Sequence, residues 1–249
     1  MSWFDYATPF WAVVVLLVVT LVFTATSFRE RLAHRSANPV RWTRALASLA
    51  AAARPGPLRR LYLANFVLYL SIFGFFRAYP MYLVNHFHMT VGRESEFVAW
   101  VAVPIVAANL GIVGWLAGRL SARQMAAHAA VLLGIAMATI VIPDTPDALW
   151  VTLGVTALAL AICLPAAASV ISEAVSSDEQ GAALGTNQSL QVGAEAASGV
   201  GGGILAAIAT ALPLSVMAAL ALAAAGLVST ESSQSPRVPA AAPGQSASD

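Results

Sequence analysis

Residues 149–175 read LWVTLGVTALALAICLPAAASVISEAV, and the first 24 of them carry no charge. A helix of that length rises about 36 Å, enough to cross a hydrocarbon layer roughly 30 Å thick. Working outward, six more apolar runs of spanning length occupy 9–27, 61–84, 97–117, 125–142, 182–208 and 212–228. The shortest have 17 or 18 residues and still cover roughly 25 Å. Membrane β-strands would alternate apolar and polar residues in segments of about ten, and no such pattern occurs. The expected fold is all-α: a polytopic membrane helix bundle of about seven transmembrane helices.

Composition supports this. The chain has 249 residues, 59% hydrophobic and 10% charged, whereas soluble domains carry roughly 25% charged residues. So few charges cannot cover a soluble surface of this size. A net charge of +1 gives no basic field for nucleic acid. All 13 cations are arginine, which excludes Schiff-base chemistry and a lysine-bearing phosphate loop. The single Cys163 allows neither a disulfide framework nor a cysteine metal site.

The first run (1–28 with its flank) lacks a basic leader, carries Asp5 ahead of it and is long for a signal peptide, so it is expected to be a retained span. Eight arginines (Arg29, Arg31, Arg35, Arg41, Arg44, Arg54, Arg59, Arg60) fall in the loop 29–60. Arg119, Arg123 and Arg237 lie in segments of the same parity, against Arg93 alone on the other side. The positive-inside rule therefore places the N-terminus outside and the C-terminus in the cytoplasm, in a cell membrane of the bacterial inner type. Within the loop, 40–54 fits a helix lying at the headgroups, or else a linker. The tail 229–249, rich in Ser, Pro, Ala and Gln, is expected to be disordered. The six-helix unit is 61–228.

The loop after the third span is Gly114-Trp115-Leu116-Ala117-Gly118-Arg119-Leu120-Ser121-Ala122-Arg123. It resembles the cytoplasmic motif G-x-L-x-D-R-x-G-R-R of major facilitator superfamily transporters, in its weaker copy between helices 8 and 9. Leu164-Pro165, Ile171-Ser172, Asp178-Glu179-Gln180-Gly181, Gly185, Gln188-Ser189-Leu190-Gln191, Gly199 and Gly201-Gly202-Gly203 follow in the order of helices 10 and 11 of its drug-efflux-like branch. Thr8-Pro9-Phe10-Trp11 and Phe28-Arg29-Glu30 resemble helix 6 and its exit. The resemblance implies the C-terminal half of a transporter, helices 6–12, with Gly114, Gly118, Arg119 and Arg123 as a gating motif. Gly118 stands where the family carries an acid, and no Gly-Pro pair occurs near Ser198-Gly199. In their own right, Gly114 and Gly118 permit close helix approach, and Gly199 to Gly203 imply close packing first and a hinge second. Arg119 is placed to cap carbonyls at a helix end.

Ionisable groups deep in a span are costly and are functional candidates by default. Arg77 lies roughly 25 Å and Glu195 roughly 21 Å along their spans from the cytoplasmic side. They are expected to pair or to share an aqueous cavity, binding substrate or carrying a proton. A structural ion pair, or an Arg77 that snorkels outward, fits the same placement. Asn65 and Tyr69, with Phe73 and Phe76, share a broad face with Arg77. Gln188 and Gln191 lie on one stripe with Glu195. Asn109 and Asn187 are further interior polar groups. These suit a cavity for amphipathic solutes or plain interhelical packing.

No catalytic constellation occurs, so no enzyme activity and no cofactor are expected. His86-x-His88 on an outer loop lacks further ligands, so no metal is expected. Expected partners are the lipid bilayer, a small organic solute, and a separate N-terminal half-transporter or further copies of the chain. Five helices of a complete member are missing, so the chain is expected to be a truncated or partial polypeptide. The competing class is a non-transporting membrane protein whose arginine loop binds lipid or a partner.

Overall fold

The computed structural model describes residues 8–27 and 56–229. The headgroup helix expected over 40–54, the tail beyond Ser229, and the arginines from Arg29 to Arg54 and at 237 lie outside the described residues. Two units are described separately. The first holds α1 (Thr8–Ser27), 20 residues or about 30 Å long. Its Thr20, Thr24 and Thr26 hydroxyls each donate at 2.8 Å to the carbonyl four residues back. No polar group of these three therefore needs water, as a lipid-embedded helix demands.

The second unit holds six helices. α2 (Pro57–Phe87) starts with proline in its first turn, where the missing N–H costs nothing. It ends at His88, whose φ of 51° is the left-handed cap conformation. α3 spans 91–117: Val91–Ala107, a π-helical turn Ala108–Ile112, and Val113–Ala117. α4 (Ala122–Thr139) opens with a capping box between Ser121 and Gln124. A 3₁₀ turn, Pro146–Ala148, leads into α5 (Leu149–Glu173), followed by α6 (Gln180–Ile208) and α7 (Leu212–Ser229).

Short connections force successive helices to run in opposite directions. Among the described residues the fold is a helical membrane bundle with no strand, and the seven helices follow the seven expected spans to within six residues at each end. Five of them, α1, α2, α3, α5 and α7, are long and apolar enough to cross a membrane by themselves. α4 and α6 fall short because Arg123, Gln124 and His128 lie in the first turns of α4, and Asn187, Gln188, Gln191 and Glu195 lie in α6.

α4 packs between α5 and α7, and α2 packs between α7 and α6, while α3 leans on α5. The first and last helices of this unit are thus close neighbours, and α6 barely touches α7. Inside a bilayer, association rests on close packing of small side chains rather than on the hydrophobic effect. The α4 and α7 faces supply these as Ala122, Ala126, Ala129, Ala130, Ala218, Ala221 and Ala225, all buried. Gly134 is pressed by Leu222 and by the Ala218 carbonyl, 3.1 Å from where a Cβ would stand. A Cβ on Gly74 would stand 2.5 Å from the Met217 side chain. Nearby, Ser71 Oγ donates to the Met217 carbonyl at 2.6 Å, so α2 and α7 are joined by packing and a hydrogen bond together.

The expected tight packing at the motif glycines is not present within this unit. Gly111, Gly114, Gly201, Gly202 and Gly203 meet nothing within 4 Å of a built Cβ, and Gly118 meets only the backbone of its own turn. The physical reason is placement. These glycines face the open sides of α3 and α6, the two helices that flank the packed interior instead of entering it.

Candidate functional site

Arg77 and Glu195 meet across the α2–α6 contact. Arg77 Nη2 donates to Glu195 Oε1 at 3.2 Å, and the two side chains are 51% and 45% exposed. Arg77 is ten residues before the end of α2 and Glu195 thirteen before the end of α6. Both therefore sit roughly 15–20 Å from the same helix ends. One turn beyond Glu195, a Cβ on Gly199 would stand 2.8 Å from Arg77 Nη1. The guanidinium thus lies against bare backbone, and only glycine leaves it that room. Gly199 is the residue of the glycine-rich stretch that does pack, and its neighbour is a charge rather than a helix.

Asn65 and Tyr69 do not line an open wall. Both are buried, and they form a polar ladder through the bundle with Asn187. Asn65 Nδ2 donates to the Ala167 carbonyl of α5 at 3.2 Å and to Asn187 Oδ1 of α6 at 3.0 Å. Asn187 Nδ2 in turn donates to Tyr69 Oη at 3.1 Å. Toward the start of α2, Tyr62 Oη donates to the Ala183 carbonyl at 3.3 Å. Three helices are thereby stitched together by groups whose separation would leave buried polar atoms without partners. In sequence these residues differ from cavity-lining ones by nothing local. The burial comes from the α5 backbone behind them.

Gln188 is exposed and Gln191 partly buried, on the same stripe of α6 as Glu195 and on the open side of the helix. Asn109 lies apart from them, in the π turn of α3, where its Nδ2 donates to the Ile105 carbonyl at 2.8 Å. A π turn frees carbonyls from the regular ladder, and Pro104 just before it supplies no N–H. At the far end of α3, the Arg119 guanidinium lies 4.0 Å from the Trp115 ring centroid, with Nη1 3.5 Å from the Trp115 carbonyl. Arg123 is on the first turn of α4, partly exposed. With Gly118 in place of an acid, the arginine of this turn stacks on its own helix.

His86 is on the last turn of α2 rather than on a loop, stacked on Tyr82 at 5.0 Å, and His88 is the helix cap. Among the described residues no group of three His, Cys, Asp or Glu converges. The opposite flank carries an apolar groove of about 420 Å³ between α3 and α5, lined by Trp100, Val103, Pro104, Trp150, Gly154 and Leu158. Trp100 Nε1 is satisfied by the Trp150 carbonyl at 2.9 Å, so the groove offers no free polar group there.

These features define a polytopic α-helical membrane protein with, among the described residues, one opposed charge pair well inside its spans. Residues 61–247, three quarters of the chain, match the model of the Major Facilitator Superfamily, and the chain belongs to that family. Membership makes it a multi-pass integral membrane protein of a family of secondary transporters of solutes, typically non-enzymatic. No curated protein matches the chain significantly.

Proposed function

We propose that the chain is the C-terminal half, helices 6–12, of a secondary transporter of small organic solutes from the drug-efflux-like branch. Its N-terminal end is outside and its C-terminal end cytoplasmic, and it works with an N-terminal half or with further copies of itself. The observation that carries this is the Arg77–Glu195 pair: two charges in mid-span, held together, yet half-exposed on one side of the bundle. Enclosing such a pair would cost both charges their hydration. An exposed one keeps edges free for a solute or for water. Gln188 and Gln191 extend the same side of α6 with neutral hydrogen-bonding groups. Alternating access would then be a rocking of this helix bundle against its complement, with the pair near the pivot.

The test is solute-driven flux. The full chain is reconstituted in vesicles of phosphatidylethanolamine and phosphatidylglycerol with a pH-sensitive dye inside, and a panel of small organic solutes is applied. The expected result is a protein-dependent response that Arg77→Gln and Glu195→Gln each reduce at least tenfold. Flux that both variants leave unchanged would remove the site. No flux for any solute would remove transport by this chain in the absence of a complement.

A further inference from the structure

We propose that the solute held at the Arg77–Glu195 pair carries an anionic group, which Arg77 binds, and that solutes bearing only a positive charge are rejected. This rests on the transport reading above and gives it a solute class.

The argument is one of charge balance. More than two helical turns from any helix end, Arg77 and Glu195 are the only charged side chains in the described spans. Their sum is zero, and the pair is joined by a single contact at 3.2 Å. A charged solute must replace one partner, so the outcome depends on what the displaced partner can do. A guanidinium does not lose its proton in a protein. A cation taking Arg77's place on Glu195 would therefore leave Arg77 charged and without a partner, since no other described acid lies that deep in a span. A carboxylate has another option. An anion taking Glu195's place on Arg77 releases a side chain that can accept a proton from water. The solute anion, the proton and the pair then have the same total charge before and after. A zwitterion needs no proton, since its anionic end meets Arg77 and its cationic end meets Glu195. Both accepted cases share an anionic group on the guanidinium.

The geometry suits that group. The guanidinium is a planar fork, matched to carboxylate and phosphate oxygens. It also lies against the bare backbone of Gly199, a second neighbour beside the carboxylate. Half-buried Phe73 and Phe76 lie within one turn of Arg77 on α2, and Phe66 lies 3.9 Å from the Cβ position of Gly193. These offer apolar surface to an organic body. The helices packed on α6 bring few other titratable groups to Glu195. α7 has none, and α5 has buried Cys163 and, at its end, Glu173. α2 has Arg59, Arg60, Tyr62, Tyr69, Tyr79, Tyr82 and His86 besides Arg77, and Arg77 is the one bonded to Glu195.

The experiment uses the full chain in nanodiscs of phosphatidylethanolamine and phosphatidylglycerol. Unfolding is read by a thiol-reactive dye at Cys163, which is fully buried in the fold. Three probes of similar shape are added at millimolar concentration: benzoate, phenylalanine and benzylammonium. Benzoate or phenylalanine should raise the midpoint by about 2–4 °C, and benzylammonium should not. Glu195→Gln should keep benzoate binding. Arg77→Gln should lose both probes, and Arg77→Lys, which keeps the charge, should recover part of the binding. A benzylammonium shift lost in Glu195→Gln would overturn the solute class and leave the site standing. Benzoate and phenylalanine shifts unchanged in Arg77→Gln would overturn the site itself. No shift with any of the three would overturn the proposal.

Discussion

Replacing Gly199 by alanine tests the seating of Arg77 directly. The added methyl would stand 2.8 Å from Nη1 and 3.7 Å from Cζ, whereas ordinary contact begins near 3.4 Å. The guanidinium must therefore retreat by about 0.6 Å or swing away, and its bond to Glu195 is already long at 3.2 Å. A retreat away from α6 lengthens it further. Half-exposed pairs contribute roughly 0.2–1 kcal/mol, and interhelical polar contacts in membrane proteins average about 0.6 kcal/mol. A coupling of about 0.5–1 kcal/mol between Arg77→Gln and Glu195→Gln is therefore expected in the native background, and about zero in Gly199→Ala. Total stability is a poor reporter here. Alanine in mid-helix gains up to about 1 kcal/mol over glycine, which offsets the lost pair. A double-mutant cycle in each background, measured by reversible unfolding in detergent micelles, isolates the coupling. An undiminished coupling in Gly199→Ala would show that the guanidinium does not rest on that glycine, and the charge-pair geometry would have to be abandoned.

Other outcomes follow from the packing. Asn187→Leu removes a partner from both Asn65 and Tyr69 and should cost about 1–2 kcal/mol, while Tyr69→Phe costs less; thermal unfolding that ranks them the other way would contradict the ladder. Gly134→Ala meets the Ala218 carbonyl at 3.1 Å and should destabilise by about 1–3 kcal/mol. Gly202→Ala, with open space around it, should be neutral or gain up to about 1 kcal/mol in the same measurement. Deleting Leu110, which is 84% exposed in the π turn, should convert α3 to a regular helix with little loss of stability. Collapse of the fold on that deletion would show the turn to be essential to the α3–α5 contact. Cys163 should resist maleimide in the folded chain and react fully in denaturant.

The helices were legible in sequence because each is set by a local property, a run of some 20 apolar residues that no aqueous structure could accommodate. Residues 149–175 show it plainly: the expected span and α5 start at the same residue and end two residues apart. Even α4 and α6, too polar to qualify as spans by themselves, could be read from the runs at 125–142 and 182–208. The prominence of Arg77 and Glu195 was legible too, since a charge in a span stands out whatever surrounds it. What the glycines and amides do was not. Gly199 and Gly202 are three residues apart in one run, yet one holds a guanidinium and the other faces open space. Asn65 and Gln188 are polar residues on spanning helices, and one is buried against a backbone carbonyl of α5 while the other is exposed. Hydropathy is summed along a single helix and so decides that the helix exists. Which face of it meets a neighbour depends on the order of helices around the bundle, and that order arises only when α2 closes onto α7 and leaves α3 and α6 on the flanks.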